Sequence, residues 1–295
     1  MKFEMGLYAG GMDEWCGDGD QDREGRKRRR APGTEPPSIL LPATVSAAEL
    51  VAGATTTGDL DLFLAKVGFW PDARQRELLE LGGKRVILNC TRQWGKSTVT
   101  AAKAVWEGQR HPGSLVVVLS PSKRQSAEFL RKAAGFVSRL GIRPKGDGDN
   151  EVSLAFPNQS RIVGLPGKES TVRGFSAVRL MLVDEASRVR EELYTAVRPM
   201  LAVGDGDLWM MSTPNGKQGV FYETWTKGGE EWVRVAVPAT ECGRISAEFL
   251  ERERRGMPDR TFRQEYMCEF TDCEEAVFRE EDIAAAIDWG LEPVV

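Results

Sequence analysis

Residues that build metal centres and disulfide frameworks are scarce in this sequence. Among 295 residues there are 5 cysteines and a single histidine, His111, and no two cysteines have C-x-x-C spacing. Little is therefore left for a zinc site, and reduced thiols in a cytosol are expected. Long apolar runs are also missing, because the longest, Leu115 to Leu119, is far too short to span a membrane. The N-terminus is acidic and glycine-rich, so we expect neither secretion nor membrane insertion.

The chain also lacks a large net charge of either sign. The 40 Lys and Arg residues are offset by 44 Asp and Glu residues, so a formal charge of -4 neither supports nor excludes nucleic acid as a partner. Residues 1–46 are rich in Gly, Asp and Glu and contain the basic cluster Arg26–Arg30. Such a composition cannot bury enough apolar surface to fold, so we predict a disordered tail. Whether the basic cluster contacts DNA phosphates or is simply solvated stays open.

What the sequence does contain, after this tail, is an alternation of strand and helix patterns. The strand Arg85–Asn89 leads into a Gly-Lys-Ser loop and a helix, and repeated units of this kind favour a parallel sheet covered by helices. Two short strands separated by Pro157–Ser160 predict an inserted hairpin. The predicted strands are 85–89, 115–119, 152–156, 161–165, 178–183, 208–211 and 232–237, and the predicted helices are 48–66, 74–81, 97–109, 124–140, 189–201, 246–255 and 261–268.

The loop Cys90–Ser97 has the composition of a phosphate-binding site. Such a site needs backbone N–H groups at a helix N-terminus, a small residue for close approach and a cation for the terminal phosphates. Gly95, Lys96 and Ser97 meet these needs. Compared with the pattern G-x-x-x-x-G-K-[ST], the first glycine is replaced by Cys90. The alternative interpretation is a chance Gly-Lys-Ser sequence at the start of a helix.

A pair of carboxylates follows another buried strand. Asp184 and Glu185 come directly after the apolar run Leu180–Val183, at the carboxyl end where ligands bind in open parallel sheets. Asp184 is suited to hold Mg²⁺ together with Ser97, and Glu185 to polarise the water that attacks a terminal phosphate. Alternatively, the two acids only end a strand and cap a helix. Their occurrence together with the loop favours nucleotide hydrolysis.

These motifs, in this order, resemble the ATPase domain of the large terminase subunit of tailed double-stranded DNA bacteriophages. In that family the phosphate-binding loop is an Arg-Gln-x-Gly-Lys-Ser run without the first glycine, which Arg92–Ser97 matches, so Cys90 agrees with the family. The resemblance covers about Phe69 to Phe278. Its further motifs are Phe69–Asp72 with Gln75, Thr171–Phe175, Asp184–Ala186, Ser212–Pro214 and Phe262–Tyr266.

The resemblance implies roles for individual residues. Gln75 resembles the glutamine that recognises adenine, since an amide both donates and accepts hydrogen bonds, and the alternative is a solvated helix residue. Arg92 resembles a loop arginine that acts as an arginine finger in cis, and the alternative is general electrostatic attraction of phosphate. Ser212 and Thr213 resemble the coupling motif that senses the γ-phosphate, although a bare Ser-Thr-Pro turn would carry little information.

The expected site combines the loop with the two strand ends. Within it, Trp94 is expected to pack in the core rather than to stack on adenine, because large aromatic side chains are usually buried. The expected catalytic residues are Glu185, Lys96 and Arg92, the expected Mg²⁺ ligands are Ser97 and Asp184, and the residues expected to bind ATP are Gln75, Thr91, Arg92, Gln93, Trp94, Gly95, Lys96, Ser97 and Thr98.

The expected fold is α/β, a three-layer P-loop domain of the RecA/ASCE type with a mostly parallel central sheet, a β-hairpin insertion and a small helical C-terminal appendage. We place the ATPase domain at residues 47–270 and a linker or appendage at residues 271–295. Terminases of this type continue into a nuclease domain, for which this chain leaves no room. The resemblance therefore implies an ATPase that does not cleave DNA, with the nuclease on a separate chain or lost by truncation.

The function implied by the resemblance is ATP-driven translocation of double-stranded DNA into a procapsid. The expected partners are DNA, the portal protein, the small terminase subunit, further copies of the chain in a ring on the portal, and a separate nuclease chain. The expected location is the cytoplasm of a bacterial host and, transiently, the procapsid portal. Two alternatives stay open: a helicase-like DNA-remodelling P-loop ATPase, which normally needs a second RecA-like domain, and a non-hydrolysing module that binds DNA or the portal.

Overall fold

In the computed structural model of the chain, the described residues are 57–81, 85–150, 152–165, 174–272 and the single residue 286. The tail predicted over residues 1–46 and the Thr171–Arg173 part of one motif lie outside them. So does the appendage predicted over residues 271–295, apart from residues 271, 272 and 286.

A seven-stranded sheet forms the centre of the described part of the chain. Its strands are β1 Arg85–Cys90, β2 Leu115–Leu119, β3 Ser153–Ala155, β4 Arg161–Leu165, β5 Val178–Asp184, β6 Asp207–Ser212 and β7 Val233–Val237. The order is β3-β4-β2-β5-β6-β1-β7, and all neighbours are parallel except β3 and β4. Because β6 lies between β5 and β1, the carboxyl ends of these three strands meet at one edge of the sheet.

Helices cover both faces of this sheet. In the described ranges they are α1 Thr57–Val67, α2 Ala73–Glu80, α3 Lys96–Arg110, α4 Lys123–Arg139, α5 Glu191–Val197, α6 Gly219–Lys227, α7 Ala247–Gly256 and α8 Asp259–Met267. No helix in these ranges combines the length and apolarity needed to cross a membrane.

Successive strand residues point to opposite faces, and both faces are buried. On one face, Leu88 and Val116 belong to a core shared with residues of α1, α3 and α4. On the other face, Ile87 and Val117 pack in a second core with residues of α5 and with Phe221 of α6. This arrangement confirms the predicted three-layer α/β fold with a mostly parallel sheet.

The predicted hairpin is present and joins the central sheet. Its two strands, β3 and β4, are antiparallel, and the turn between them is closed by a hydrogen bond of 2.9 Å from the N–H of Phe156 to the carbonyl of Ser160. β4 also pairs in parallel with β2, with Leu115 opposite Arg161 and Leu119 opposite Leu165. The hairpin therefore extends the sheet by two strands at the edge away from β1.

Two helical segments differ from the sequence prediction. The helix predicted over Val189–Leu201 is divided into α5 and a 3₁₀ turn, Arg198–Leu201. Pro199 explains the break, because proline lacks the N–H of an α-helical hydrogen bond to the carbonyl four residues earlier. α6 was not predicted from the sequence. Its β-branched and aromatic residues have low helix propensity, and burial of Phe221 in the core stabilises it instead.

Candidate active site

The loop between β1 and α3 has backbone conformations that few residues adopt. Gly95, the residue before α3, has a φ of 91°, and Gln93 has a φ of 65°. A Cβ atom at position 95 would lie 3.2 Å from Nε2 of Gln75 and 3.4 Å from Nη1 of Arg244. Glycine is thus favoured both by the left-handed backbone and by the neighbouring side chains. The loop places the positive end of the α3 dipole at the carboxyl edge of the sheet.

Lys96 contacts the ends of two neighbouring strands. Its Nζ atom lies 3.3 Å from Oε1 of Glu185, which follows β5, and 3.5 Å from Oγ1 of Thr213, which follows β6. The lysine side chain is only 11% exposed. A positive charge is therefore held among oxygen atoms at the N-terminus of α3, where the sequence analysis expects the terminal phosphates.

Asp184 is a buried carboxylate beside the hydroxyl of Ser97. The Ser97 Oγ atom lies 3.4 Å from Oδ2 of Asp184, and the N–H of Glu185 donates to Oδ1 at 3.1 Å. Burial, and then the negative charge of Glu185, raise the pKa of Asp184 to about 6, while Lys96 lowers it. Carboxylate and hydroxyl oxygens are ligands of the type that Mg²⁺ prefers. The structure thus brings the two predicted Mg²⁺ ligands together.

Glu185 has an unusual backbone for a non-glycine residue. Its φ and ψ angles are 51° and 45°, a left-handed conformation that costs on the order of 1–3 kcal/mol and is often found at functional sites. Its side chain is 27% exposed and makes no capping hydrogen bond to the 3₁₀ turn Ala186–Arg188. Glu185 therefore does not act as a helix cap. Its carboxylate faces Lys96 and is accessible to water.

Ser212 and Thr213 connect β6 to both neighbouring strand ends. The hydroxyl of Thr213 donates to the carbonyl of Cys90, the last residue of β1, at 2.9 Å. The Ser187 hydroxyl, in the turn after β5, lies 2.7 Å from Oγ of Ser212 and donates to the carbonyl of Thr213 at 3.0 Å. These residues are thus more than a bare turn, because they join the ends of β1, β5 and β6 beside Lys96.

Gln75 is buried and forms a hydrogen bond with the phosphate-binding loop. It is 1% exposed, so the interpretation as a solvated helix residue is wrong. Its Nε2 atom donates to the carbonyl of Trp94 at 2.8 Å, and its Oε1 atom accepts the N–H of Asp72 at 3.2 Å. Arg244 donates to the same Trp94 carbonyl and, at 3.0 Å, to Oδ2 of Asp72. Each end of the Gln75 amide thus makes one of the two hydrogen bonds that it can form, and these bonds hold the side chain against the loop.

Arg92 faces α8 in this structure. Its guanidinium pairs with the carboxylate of Glu265 through Nε and Nη2, the latter 3.3 Å from Oε1. The hydrogen bond to Glu265 raises the pKa of Arg92. Thr91 is held by the same residue, since its hydroxyl donates to the carbonyl of Glu265 at 3.1 Å. The first half of the loop is therefore anchored to α8.

The other predicted site residues occupy different surroundings. Trp94 is 1% exposed and belongs to the core, which confirms the packing predicted for it. Gln93 is exposed, and Thr98 is half-buried in the first turn of α3. Ser187 and Arg244 were not predicted, because their surroundings in the sequence carry no signal for the site. Glu265 lies in the Phe262–Tyr266 motif, which was part of the family resemblance, but no role was predicted for Glu265 itself.

We expect Asp184→Asn to stabilise the nucleotide-free protein. The folded-state pKa of about 6 lies above the usual value of 3.8, so folding favours the protonated acid. The stability present below about pH 4 is therefore lost as the pH rises through about 6. An amide carries no charge to bury, and we expect a gain of about 2 kcal/mol in the free energy of unfolding at pH 7.5.

Urea unfolding at two pH values tests this expectation. The difference between Asp184→Asn and wild type should be present at pH 7.5 and should shrink towards zero near about pH 3, where the acid is mostly protonated in both states. Glu192→Gln, a change at an exposed residue of α5, is the control and should leave the stability unchanged. A variant less stable than wild type at pH 7.5 would contradict the expectation.

The sequence matches one family model over most of the site. Residues 87–285 match the family described as terminase large subunit, T4likevirus-type, N-terminal. The chain belongs to this family. The matched range includes the phosphate-binding loop, Asp184, Glu185, Ser212 and Thr213, whereas Gln75 precedes it.

Curated terminases are similar over much of the chain. The chain is 27% identical over 255 residues to the terminase large subunits of Thermus phage G20c and Thermus virus P23-45. The match covers 74% of this chain and 52% of each relative. The chain therefore spans about half the length of these curated relatives.

Solved terminase structures share the fold. The large terminase ATPase domain of Thermus phage P74-26 has a TM-score of 0.64 at 23% identity, over 72% of this chain and 98% of that domain. A large terminase from another thermophilic bacteriophage, in complex with ADP, has a TM-score of 0.58 at 13% identity, over 68% of this chain and 53% of that one. At such low identities these matches establish the terminase ATPase fold.

Proposed function

We propose that this chain binds ATP with Mg²⁺ and hydrolyses it as the motor part of a phage large terminase, which moves double-stranded DNA into a procapsid. The observation that carries the proposal is the contact of Lys96 with Glu185 and Thr213, beside the pair formed by Ser97 and Asp184. These residues supply the cation, the acid and the metal ligands that phosphoryl transfer requires. Membership of the terminase family supports the same function.

Lys96 and the N-terminus of α3 would bind the terminal phosphates of ATP. Ser97 and Asp184 would hold Mg²⁺, which when bound supplies charge neutralisation at the β- and γ-phosphates. The residues fit this cation, because the Ser97 hydroxyl lies 3.4 Å from the Asp184 carboxylate and both are oxygen ligands of the type that Mg²⁺ prefers. Two adjacent carboxylates, Asp184 and Glu185, share one nearby lysine, and a divalent cation would compensate the remaining negative charge.

Glu185 would orient the attacking water and accept its proton, since its carboxylate is partly exposed at the strand end. Arg92 would stabilise the charge that spreads over the γ-phosphate oxygens, after its guanidinium leaves Glu265. Ser212 and Thr213 would sense the loss of phosphate, because their hydroxyls join the ends of three strands beside Lys96.

The nucleotide and the partners are proposed from relatives. A large terminase of another thermophilic bacteriophage has been solved with ADP and with ATP-gamma-S, which supports ATP as the nucleotide here. We propose double-stranded DNA as the translocated substrate, with the portal protein, the small terminase subunit and further copies of the chain in a ring as partners. The proposed location is the host cytoplasm and, transiently, the procapsid portal.

Lys96→Ala tests the enzymatic part of the proposal. We expect the wild type to hydrolyse ATP faster when DNA is added, and the variant to lose turnover by about 100-fold or more, because the phosphates lose their principal cation. Lys227→Ala, at an exposed lysine of α6, should behave as wild type. Binding of DNA or portal by a wild type that does not hydrolyse ATP would favour the non-hydrolysing module instead.

Portal binding tests the packaging part. We expect the chain to assemble on portal rings in the presence of ATP, and its ATPase activity to rise when both portal and double-stranded DNA are present. ATPase activity accompanied by strand separation and without portal binding would favour the helicase-like enzyme.

A further inference from the structure

Ser120 lies beside Asp184 at the carboxyl edge of the sheet. It directly follows β2, which is paired in parallel with β5 so that Leu119 is opposite Val183. The next residues in this register are Ser120 and Asp184. The strand geometry continues through Ser120, because its N–H still bonds to the carbonyl of Leu165 on β4, at 3.4 Å.

The side chains of Ser120 and Asp184 belong to the same face of the sheet. Successive strand residues point to opposite faces. Val118 and Leu182, two positions earlier on the two strands, both belong to the core shared with α3 and α4. Ser97, in the first turn of α3, contacts Asp184 on this face. Ser120 is therefore on the face where the proposed Mg²⁺ ligands meet.

The Ser120 hydroxyl is buried without a hydrogen-bond partner. The residue is 0% exposed, and no group of the described residues bonds to its Oγ atom. Ser126, a buried serine on α4, shows the usual arrangement, since its hydroxyl donates to the carbonyl of Leu165 at 3.1 Å. A buried donor without a partner costs free energy, so a native protein that keeps one at its active site has a use for it.

Asp184 can accept more hydrogen bonds than it receives. The two oxygen atoms of a carboxylate have about four acceptor positions. The N–H of Glu185 donates to Asp184 at 3.1 Å, whereas the contacts from the Ser97 hydroxyl are longer, at 3.4 and 3.5 Å. Neighbouring strands lie about 4.8 Å apart, so rotation about the Cα–Cβ bond of Ser120 can bring its hydroxyl to this carboxylate.

We propose that Ser120 is a positioning residue, whose hydroxyl donates a hydrogen bond to the Asp184 carboxylate when Mg²⁺ is bound and so fixes the orientation of this metal ligand. Carboxylates that bind a metal are themselves held by hydrogen bonds. Bonds of an active site are often long before the substrate binds and tighten in the complex. This inference rests on the proposed function.

Ser120→Ala is expected to weaken nucleotide binding only when Mg²⁺ is present. We would titrate ATP-gamma-S into the protein in a calorimeter, once with Mg²⁺ and once with EDTA. With Mg²⁺ the affinity should fall about tenfold, because the orientation of Asp184 is no longer fixed. With EDTA the change should be under about twofold, since Ser120 contacts neither the phosphates nor the loop.

Thermal unfolding of the ligand-free protein separates positioning from a structural role. Ser120→Ala removes a hydroxyl that has no partner in this state, so we expect it to unfold about 2 °C above wild type. Ser126→Ala is the matched control, because it removes a buried hydroxyl that is bonded. It should unfold at a lower temperature than wild type and leave the effect of Mg²⁺ on ATP-gamma-S affinity unchanged.

Ser120→Cys provides a second variant, because a thiol is a weak donor of nearly the same shape. It should lose most of the Mg²⁺-dependent affinity, as Ser120→Ala does. An unchanged affinity of Ser120→Ala in the presence of Mg²⁺, an equal loss with Mg²⁺ and with EDTA, or unfolding of this variant below wild type would overturn the inference. A wild type that binds ATP-gamma-S no better with Mg²⁺ than with EDTA would overturn the proposed Mg²⁺ site itself, whereas Mg²⁺-dependent binding shared by wild type and Ser120→Ala overturns the inference alone.

Discussion

Glu185→Gln is expected to bind ATP as wild type does and to lose turnover by about 10²- to 10⁴-fold. The carboxylate of Glu185 follows β5, lies 3.3 Å from Nζ of Lys96 and is 27% exposed, so water can reach it. Glutamine has the same shape and can still accept a hydrogen bond from Lys96, but it cannot take a proton from water. The backbone N–H of residue 185 still donates to Asp184, so the proposed Mg²⁺ ligands should stay in place.

Steady-state ATPase rates and calorimetric ATP binding separate these two effects. A fall in kcat at nearly constant affinity is the signature of an interaction made only in the transition state. Glu192→Gln changes an exposed acid near the start of α5 and should leave both quantities unchanged. Normal turnover of Glu185→Gln would remove Glu185 from its proposed role.

The central contacts of the site follow from the sequence because parallel strands place their carboxyl ends at one edge. Two buried strands ending at the Gly-Lys-Ser loop and at Asp184 were sufficient to predict that Ser97 and Asp184 meet. The structure confirms this with 3.4 Å between the Ser97 hydroxyl and Oδ2 of Asp184. The prediction needed only strand identity and direction, which hydrophobic patterns encode locally.

The surroundings of the loop could not be predicted in this way. Arg244 reaches the Trp94 carbonyl across 150 positions of the sequence, and Glu265 reaches Arg92 across 173. Such contacts depend on how α2, α7 and α8 pack and on which rotamer a long side chain adopts, neither of which leaves a periodic signal. For the same reason the sequence allowed Gln75 to be solvated, whereas the structure buries it under the loop.

Two features that break local rules occur at the proposed catalytic pair. Asp184 is buried with a raised pKa, and the adjacent Glu185 has a left-handed backbone. Both cost stability in the nucleotide-free state, and neither improves the packing of the core. Such costs are expected where a site is shaped for a cation and a substrate that bind later.

Arg92→Ala is expected to lower kcat by about 10³-fold or more, because an arginine that neutralises the γ-phosphate acts mainly in the transition state. The affinity for ATP should fall much less, since Lys96 and the α3 N-terminus still bind the phosphates. Arg92→Lys should recover little of the lost rate, because an ammonium group cannot form the planar fork of a guanidinium. Single-turnover ATP hydrolysis measures the chemical step for both variants without interference from product release.

Arg263→Ala provides the matched control. Arg263 is also an exposed arginine, 53% accessible, and it pairs with Glu269 just beyond the end of α8, so its loss removes an ion pair of this helix without changing the phosphate-binding loop. We expect its turnover to stay within about twofold of wild type, as is usual for an exposed ion pair. Near-normal turnover of Arg92→Lys would mean that Arg92 contributes only a general electrostatic attraction of phosphate. Near-normal turnover of Arg92→Ala would mean that the stabilising arginine comes from another part of the chain or from a second copy in the ring.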